Sequence, residues 1–539
     1  MVTASQTASG GFSPYAESVT LQIDAAALLV LTHRSVGISK APNRLPADLK
    51  TPQCELAGEL DSLFAGSHRA TLETALPQFL LKSRWFAGKA RSLLGVRLLD
   101  VLDLQPPARC RILLVEVEYP QGDAEVYAVP VYFASRPLHP EAQATAILTI
   151  KGSHDVILCE ATGDEEFWDC LFRSIGTRSA WAGMLGDGAK AEVKLLGCEQ
   201  SNTSVTVASR AVIKLFRQLW AGENPELEVG RFLTQRGFGG APSLQGEMEY
   251  RRQDGRIYTL AVMHEFIPNH GSGWSYTLEQ IGRHLDLFPE GQEDYLDSIE
   301  LLGERTGELH LALVASSDPG FAPEAFTAAY QHDVSQAMRA DACEAFALLR
   351  ASVATLDSST AAGAERVLQS KALLLDRYRV LSAHVIRTKR IRCHGDFHLG
   401  QVLFTGKDFR IIDFEGETGR PIPERRLKSS PIRDVAGMIR SFHYASRAAL
   451  RLPGPVPFER RIGILSSWCL ATSERFLHGY LKIARRGDFL PESEEDFRHL
   501  LTAYTLDKAI YELRYELNNR PDWVSIPIDG LLSILDENR

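Results

Sequence analysis

The stretch HGDFHLGQVLFTGKDFRIIDFEGE, from His394 to Glu417, constrains this chain more than any other. It sets Asp396 and Asp413 at the two ends of a short apolar segment, beside Ile411, Ile412 and Phe414. Packing alone gives no reason to hold carboxylates there, because a buried unpaired charge is costly. QVLF and FRIID read as two strands joined by the turn TGKD. A hairpin returns the chain to where it began, so Asp413 is expected beside Asp396 and Gln401. Two carboxylates and an amide oxygen then converge. They are hard oxygen ligands of the kind magnesium takes together with substrate phosphates. One carboxylate is left free to receive a proton from an attacking hydroxyl. Metal neutralisation and a base beside the nucleophile are the parts that phosphoryl transfer requires.

The 539 residues are too many for one ordinary core, and roughly two to four domains are expected. A hydrophobic share of 45% and a charged share of 24% fit a soluble globular protein. The formal charge is −9 with acids and bases interspersed, which gives no sign of nucleic-acid binding. Ala25–Leu31 is too short to span a bilayer, so no membrane association is expected. The start, MVTASQTASGGFSPYAES, has no basic region followed by an apolar core, and no signal peptide is read there. The eight cysteines make no CxxC pair. Neither zinc nor a disulfide framework is indicated, and a reducing cytoplasm is the expected compartment.

Four regions follow along the chain. Residues 1–55, rich in Ser, Ala, Thr and Pro, read as an extension, in which Val19–Leu31 fits a strand or a short helix. Residues 56–190 read as a cap of helix and sheet. Leu56, Leu60 and Leu63 have helical spacing, as do Leu72, Leu76 and Leu80, and Arg111–Tyr119 with Glu125–Ser135 alternate like a hairpin. Residues 191–274 are strand-rich, with one helix in NPELEVGRFLTQRG that ends at Gly237. Residues 275–539 are mostly helical. Thr277–Leu287, Asp294–Val314, Ala337–Leu356 and Ala361–Ile386 carry apolar residues at helical period.

His394-Gly395-Asp396-x-His398-x-x-Gln401, followed by Asp413, resembles the aminoglycoside-phosphotransferase-like branch of the protein-kinase fold. That family usually has Asn where this chain has Gln401, and Gln there is a mark of the maltokinases. LPQFLLKSRWFAGKAR, EQSNTSV, KLFRQL, EFIPNHGSGWSYTL, PERRLKSSPIRDVAGMIRSFHYA and DKAIYELRYELNNRPDW, in that order, are similar to bacterial maltokinases. The match extends from about residue 75 to residue 530. His443 departs from it, standing where an acidic residue is expected. The resemblance implies an α+β, bilobal protein-kinase-like (aminoglycoside phosphotransferase-like) fold with an N-terminal α/β cap domain. It also implies transfer of a phosphoryl group from ATP, with Mg2+, to the anomeric hydroxyl of maltose. It places the chain in bacterial trehalose–glycogen metabolism, where trehalose synthase supplies maltose and is a candidate partner for the cap.

Carried over residue by residue, Asp396 is the catalytic base, while Gln401 and Asp413 hold magnesium and Glu415 assists through water. Lys214 meets the ATP phosphates, with Glu228 as its ion-pair partner and Glu226 as the rival. Ser201, Asn202, Thr203 and Ser204 stand where kinases have a phosphate loop, and the backbone around Glu265 and Phe266 stands at the adenine hinge. In YTLDKAIYELRYELNNRPDW, Tyr504, Lys508, Tyr511 and Tyr515 share a helical face with Glu512 and Glu516 close by. Aromatic rings stack on a sugar while Lys508 and Glu512 grip its hydroxyls, although a plain core contact also fits this face. His398 and Arg426 are further candidates for substrate contact. His394 and His398 also suit a structural role in the loop. Asp434 suits either anchoring that loop or the first turn of a helix. The basic run Arg425, Arg426, Lys428 and Arg433 reads either as a solvated face or as a phosphate- or substrate-facing segment. Two rivals remain: a related kinase acting on glucosamine, which needs a carboxylate beside its ammonium group, and a non-catalytic scaffold that binds maltose or trehalose synthase.

Overall fold

Alternating apolar residues build two sheets in the first half of the chain, and helix-period residues build a bundle in the second. The computed structural model describes residues 51–536, apart from 57–58, 105–108, 136–143, 153–154, 178–191, 198–200, 289–291 and 453–455. The expectation for Val19–Leu31 lies outside the described residues.

The cap contains β1 (Gln53–Glu55), α1 (Gly66–Lys82), β2 (Gly95–Asp103), β3 (Cys110–Glu118), β4 (Glu125–Ser135), β5 (Ala146–Lys151) and β6 (Val156–Glu160). The strands lie in the order β1-β5-β6-β4-β3-β2. The hairpin expected from the sequence forms, with Val117 opposite Glu125 and Cys110 opposite Tyr132. Leu72, Leu76 and Leu80 of α1 cover one face, against Leu98, Leu113 and Val115. On the other face, Ile112, Leu114 and Ala128 share a core with Phe167, Trp168 and Leu171 of α2 (Glu165–Ser174). Burial on both faces explains why β3 and β4 read as near-continuous apolar runs.

The next sheet contains β7 (Gly176–Thr177), β8 (Val193–Leu196), β9 (Asn202–Val207), β10 (Ala211–Phe216), β12 (Leu244–Arg251) and β13 (Ile257–Glu265), in the order β7-β12-β13-β10-β9-β8. Between β10 and β12 the chain makes β11 (Gln218–Leu219), which leaves this sheet to pair with β4 of the cap, and then α3 (Pro225–Gln235). Asn224 caps α3 by accepting the N–H of Glu226, Pro225 opens it, and Gly237 at φ 64° follows its end. Val205, Ile213, Leu215 and Met263 join the cap residues in one core, so cap and strand-rich lobe are packed as one body.

The helical lobe holds α4 (Gly273–Leu287), α5 (Glu293–Val314), α6 (Ala328–Ser352), α7 (Ser358–Gln369), α8 (Lys371–Val380), the hairpin β14 (Val402–Phe404) and β15 (Phe409–Ile411), and then α9 (Ile422–Arg425), α10 (Ile432–Ala449), α11 (Phe458–Ala484), α12 (Glu494–Asn519) and α13 (Ser525–Asp536). The hairpin has the expected antiparallel register, with Val402 opposite Ile411. Three helical runs differ from expectation: the one at Leu56, Leu60 and Leu63 is only a short 3-10 turn, Leu60–Phe64, after β1, and two lie in this lobe. The run expected at Ala337–Leu356 starts earlier, where Thr327 accepts the N–H of Tyr330. The run expected at Ala361–Ile386 breaks into α7 and α8 at Ser370. Among the described residues no helix is long and apolar enough to cross a membrane.

α5 and α11 cross at backbone contact through paired glycines. A Cβ on Gly479 would lie 2.0 Å from the carbonyl oxygen of Glu300, and one on Gly303 would lie 2.1 Å from that of Phe476. Gly479→Ala should therefore destabilise the fold by about 1–3 kcal/mol despite the better helix propensity of alanine. Thermal or urea unfolding reads the loss. An unchanged midpoint would mean that the helices separate at no cost.

Candidate active site

Asp434, 1% exposed in the first turn of α10, fixes the loop that carries Asp396. Its carboxylate accepts the N–H of His394 at 2.7 Å and that of Gly395 at 2.9 Å. His310 Nε2 lies 3.1 Å from the same carboxylate, and His310 Nδ1 lies 3.1 Å from Tyr480 Oη. Burial pushes this carboxyl up, but His310 and the backbone N–H donors outweigh it and keep it below the ordinary range. Gly395 has φ 89°, which favours glycine. His394 Nε2 lies 2.9 Å from the Ile412 carbonyl, and its ring packs against Phe397 and Phe414.

Asp396 meets Lys508 Nζ at 2.8 Å, and His398 Nε2 lies 3.9 Å from its other oxygen. Burial raises the Asp396 carboxyl, yet Lys508 and His398 pull harder and hold it well below the usual carboxylate range. His398 is drawn down, chiefly by burial, and its Nδ1 accepts the N–H of Gly400. Lys508, expected as a grip on sugar hydroxyls, has its ammonium on the candidate base instead.

The second acid, Asp413, has φ 66°, a strained left-handed backbone at the end of the hairpin. Its Oδ1 meets Lys214 Nζ at 2.6 Å, and its Oδ2 accepts the side-chain amide of Gln401 at 2.8 Å. The partner of Lys214 on α3 is Glu226, at 2.8 Å, rather than Glu228. Glu228 points to the other lobe, where its oxygens bind Arg392 at 2.8 Å and Arg426 at 2.6 Å. The positions are two residues apart on a helix, so only one can face Lys214. Glu415 also reaches Lys214, at 2.7 Å, and accepts the Asn202 amide at 2.7 Å. Burial raises the Glu226 carboxyl, but Lys214 and His264 bring it down to about 2. Glu415 stays raised, by burial first, with Lys214 opposing and Asp413 and Glu226 adding to the rise. Oxygens of Glu226, Asp413 and Glu415 lie within 4.8 Å of one another. Three hard carboxylates around a single ammonium, with the Gln401 amide adjoining, form a donor set that fits a magnesium ion.

The expected phosphate loop is placed differently. Asn202, Thr203 and Ser204 belong to β9, paired with Phe216, Leu215 and Lys214. Asn202 and Ser204 are buried, Thr203 accepts from Arg217 Nε, and Ser201 is exposed at the strand's start. Residues 198–200 lie outside the described residues. At the hinge, the N–H of Glu265 donates to Ser243 O at 2.9 Å and that of Phe266 to Arg210 O at 2.8 Å. Both donors are engaged within the protein.

Beside Asp396 opens a cleft lined by Glu417, Arg433, Asp507, Lys508 and Tyr511 among others. Glu417 binds Arg433 and Arg420 at 2.5 Å each, and Asp341 binds Arg514 at 3.0 Å. Among the described residues Asp507 makes no hydrogen bond or ion pair. Burial pushes its carboxyl up to about 6, with Arg433 opposing and Asp341 and Glu417 adding to the rise. The Tyr511 ring lies 4.7 Å from Lys508 Nζ. Glu512 is bound by the buried Arg440 at 2.5 Å, and Tyr515, one turn beyond Tyr511, packs on Arg520, so neither lines the cleft. Arg426, held by Glu228, lies outside it too. The basic run is not a solvated face, since Lys428 is buried on Glu324 and the Arg425 side chain is 1% exposed. Of the cleft acids, Glu417 stood within the opening motif, whereas Asp341 sits far away in the sequence with no local signal.

A family model described as the maltokinase N-terminal cap domain matches residues 79–164. A glucosamine kinase of Streptacidiphilus jiangxiensis is 28% identical over 343 residues, covering 63% of this chain and 72% of its own. A glucosamine kinase of Mycolicibacterium smegmatis is 23% identical over 391 residues, covering 69% and 88%. A solved glucosamine kinase in complex with glucosamine, ADP and inorganic phosphate superposes with TM-score 0.59 at 21% identity, over 89% of this chain and all (100%) of that one. The chain has the fold of the solved glucosamine kinase, and the kinase-like fold expected from the sequence is borne out. More particularly, it carries the maltokinase type of N-terminal cap on a body with the fold of glucosamine kinase.

Asp507 has a raised carboxyl, so the native state keeps its proton where the unfolded chain, near 3.8, has lost it. Stability should fall as the pH rises from about 4 to about 6. Asp507→Asn removes this loss. Urea unfolding at pH 5 and pH 8 should show the variant gaining on the parent at the higher pH, and a gap independent of pH would refute the assignment.

Proposed function

We propose that the protein is an ATP-dependent sugar kinase that phosphorylates maltose at its anomeric hydroxyl, giving maltose 1-phosphate and ADP. The observation that carries this reading is the placement of Asp396, paired with Lys508 in a cleft lined by Glu417, Asp507 and Tyr511, on the loop before the hairpin after which Asp413 meets Lys214. Asp396 orients the anomeric hydroxyl and takes its proton, and Lys508 keeps that carboxylate charged and aimed. Lys214 binds the phosphates of the nucleotide and stabilises charge on the transferring group. Asp413, Gln401 and Glu415 would hold Mg2+, which supplies charge neutralisation on the phosphates when bound. Ser201 and the Glu265–Phe266 backbone are the nucleotide contacts that go with this arrangement.

Charge in the cleft supports a neutral sugar. Asp341, Asp396 and Glu417 already face Arg514, Lys508 and the Arg420–Arg433 pair, and Tyr511 offers a ring for an apolar sugar face. The maltokinase type of cap supports maltose in the same direction. Asp507, which among the described residues makes no side-chain hydrogen bond or ion pair, favours a second reading, because such a carboxylate suits the ammonium group of glucosamine, the sugar in the name of the relatives. Supply of maltose by trehalose synthase, with the cap as its docking face, belongs to the maltose reading and stands or falls with it.

One assay separates the readings: MgATP is supplied with maltose, glucosamine, glucose or an aminoglycoside, and ADP release is followed. Turnover with maltose, lowered about 10²–10⁴-fold by Asp396→Ala, is the expected result. Turnover with glucosamine alone replaces maltose by the amino sugar. No turnover with any sugar leaves a scaffold that binds without catalysis.

A further inference from the structure

Arg217 sits where the chain passes from one sheet to the other. β10 ends at Phe216 in the strand-rich lobe, and β11 begins at Gln218 against β4 of the cap. The carbonyl of Arg217 accepts the N–H of Ala128 at 2.8 Å. Its side chain is 1% exposed and its bonds run two ways. Toward the cap, Nη2 reaches Glu160 at 2.5 Å and Thr162 Oγ1 at 3.2 Å, while Nη1 reaches the Ala128 carbonyl at 3.4 Å. The guanidinium carbon also lies 4.6 Å from the centre of the Trp85 ring. Toward the nucleotide lobe, Nε donates to Thr203 Oγ1 at 2.9 Å, and the backbone N–H faces Asn202 Oδ1 at 3.4 Å. The Asn202 amide in turn donates to Glu415 at 2.7 Å, one of the carboxylates around Lys214. An unbroken set of bonds thus runs from Glu160 in the cap to Glu415 in the site.

A buried guanidinium is tolerated only while its planar fork is matched on every side. The rigid fork therefore couples the position of Glu160 to that of Thr203 and its neighbour Asn202. A cap strand displaced from its seat would draw on β9 and on the amide that orients Glu415. The bond is not needed to bury Arg217 for its own sake, since an apolar residue would fill the same space at less cost.

We propose that Arg217 is a positioning residue, transmitting the seating of the cap to Glu415 and so setting the affinity of the site for the magnesium nucleotide. The proposal rests on the nucleotide-binding reading of the site. Equilibrium binding of MgADP, by calorimetry, is measured for the full chain, Glu160→Gln, Asn202→Ala and the double variant, with thermal unfolding and the KM for the sugar alongside. Glu160→Gln, which touches no part of the site, should weaken MgADP roughly threefold to tenfold. The sugar KM should stay unchanged, and the effect should vanish in the Asn202→Ala background. Thr203→Val, which removes only the Nε acceptor, should give the same shift and serves if Glu160→Gln does not fold. Normal MgADP binding by Glu160→Gln and Thr203→Val, or effects that add in the double variant, would overturn the relay alone. A parent protein that binds no MgADP would overturn the nucleotide reading and the relay with it.

Discussion

The ammonium of Lys214 is buried between the lobes, and a charge in that position is stable only when its partners are fixed. They come from two places in the chain: Glu226 from α3, and Asp413 and Glu415 from the segment after the hairpin, with Asn202 of β9 steadying Glu415. The strand-rich lobe, its helix and the hairpin of the helical lobe therefore meet at one atom. Burial raises the Glu415 carboxyl and repulsion from Asp413 and Glu226 adds to the rise, whereas Lys214 and His264 overcome burial to lower Glu226. The same repulsion makes further positive charge welcome there, and this suits a site that handles phosphate with a divalent cation.

The base side of the cleft follows the opposite plan. Asp396 is not crowded by other acids but paired with Lys508 from α12 and aimed by a loop whose backbone is tied to Asp434. Asp434 is held by His310 of α5, and His310 by Tyr480 of α11. The helices that cross at Gly303 and Gly479 thus support the loop through two buried rings and one carboxylate. Glu228 adds a tie between the lobes through Arg392 and Arg426. Two neighbouring acids on one helix have divided the work, one facing Lys214 and one facing the other lobe.

Local signals were legible where a short pattern determines its own structure. The TGKD turn with flanking apolar triplets gave the hairpin, and Asn224-Pro225 with Gly237 gave both ends of α3. Helix phase was not legible at the level of single residues, so Glu226 and Glu228 could be told apart only once α3 was docked. Asn202–Ser204 looked like a polar loop, yet strand pairing with Lys214–Phe216 turned alternate side chains inward. The basic run looked exposed because charge usually is, but acids distant in sequence, Glu324 and Glu417, drew Lys428 and Arg433 inward.

Sequence by itself determined most of the elements and the chemical types at the site, because turns, caps and apolar periods act over a few residues, while the kinase-like fold was what the family resemblance implied. Only tertiary structure decided which carboxylate meets Lys214, that Lys508 guards Asp396, and that Asp507, among the described residues, lines the cleft with no side-chain hydrogen bond or ion pair. Those outcomes depend on distances between residues on different elements, from the 12 positions between Lys214 and Glu226 to the 112 between Asp396 and Lys508. Ion pairing decays over a few ångströms, and no local pattern encodes separations that small across so much chain.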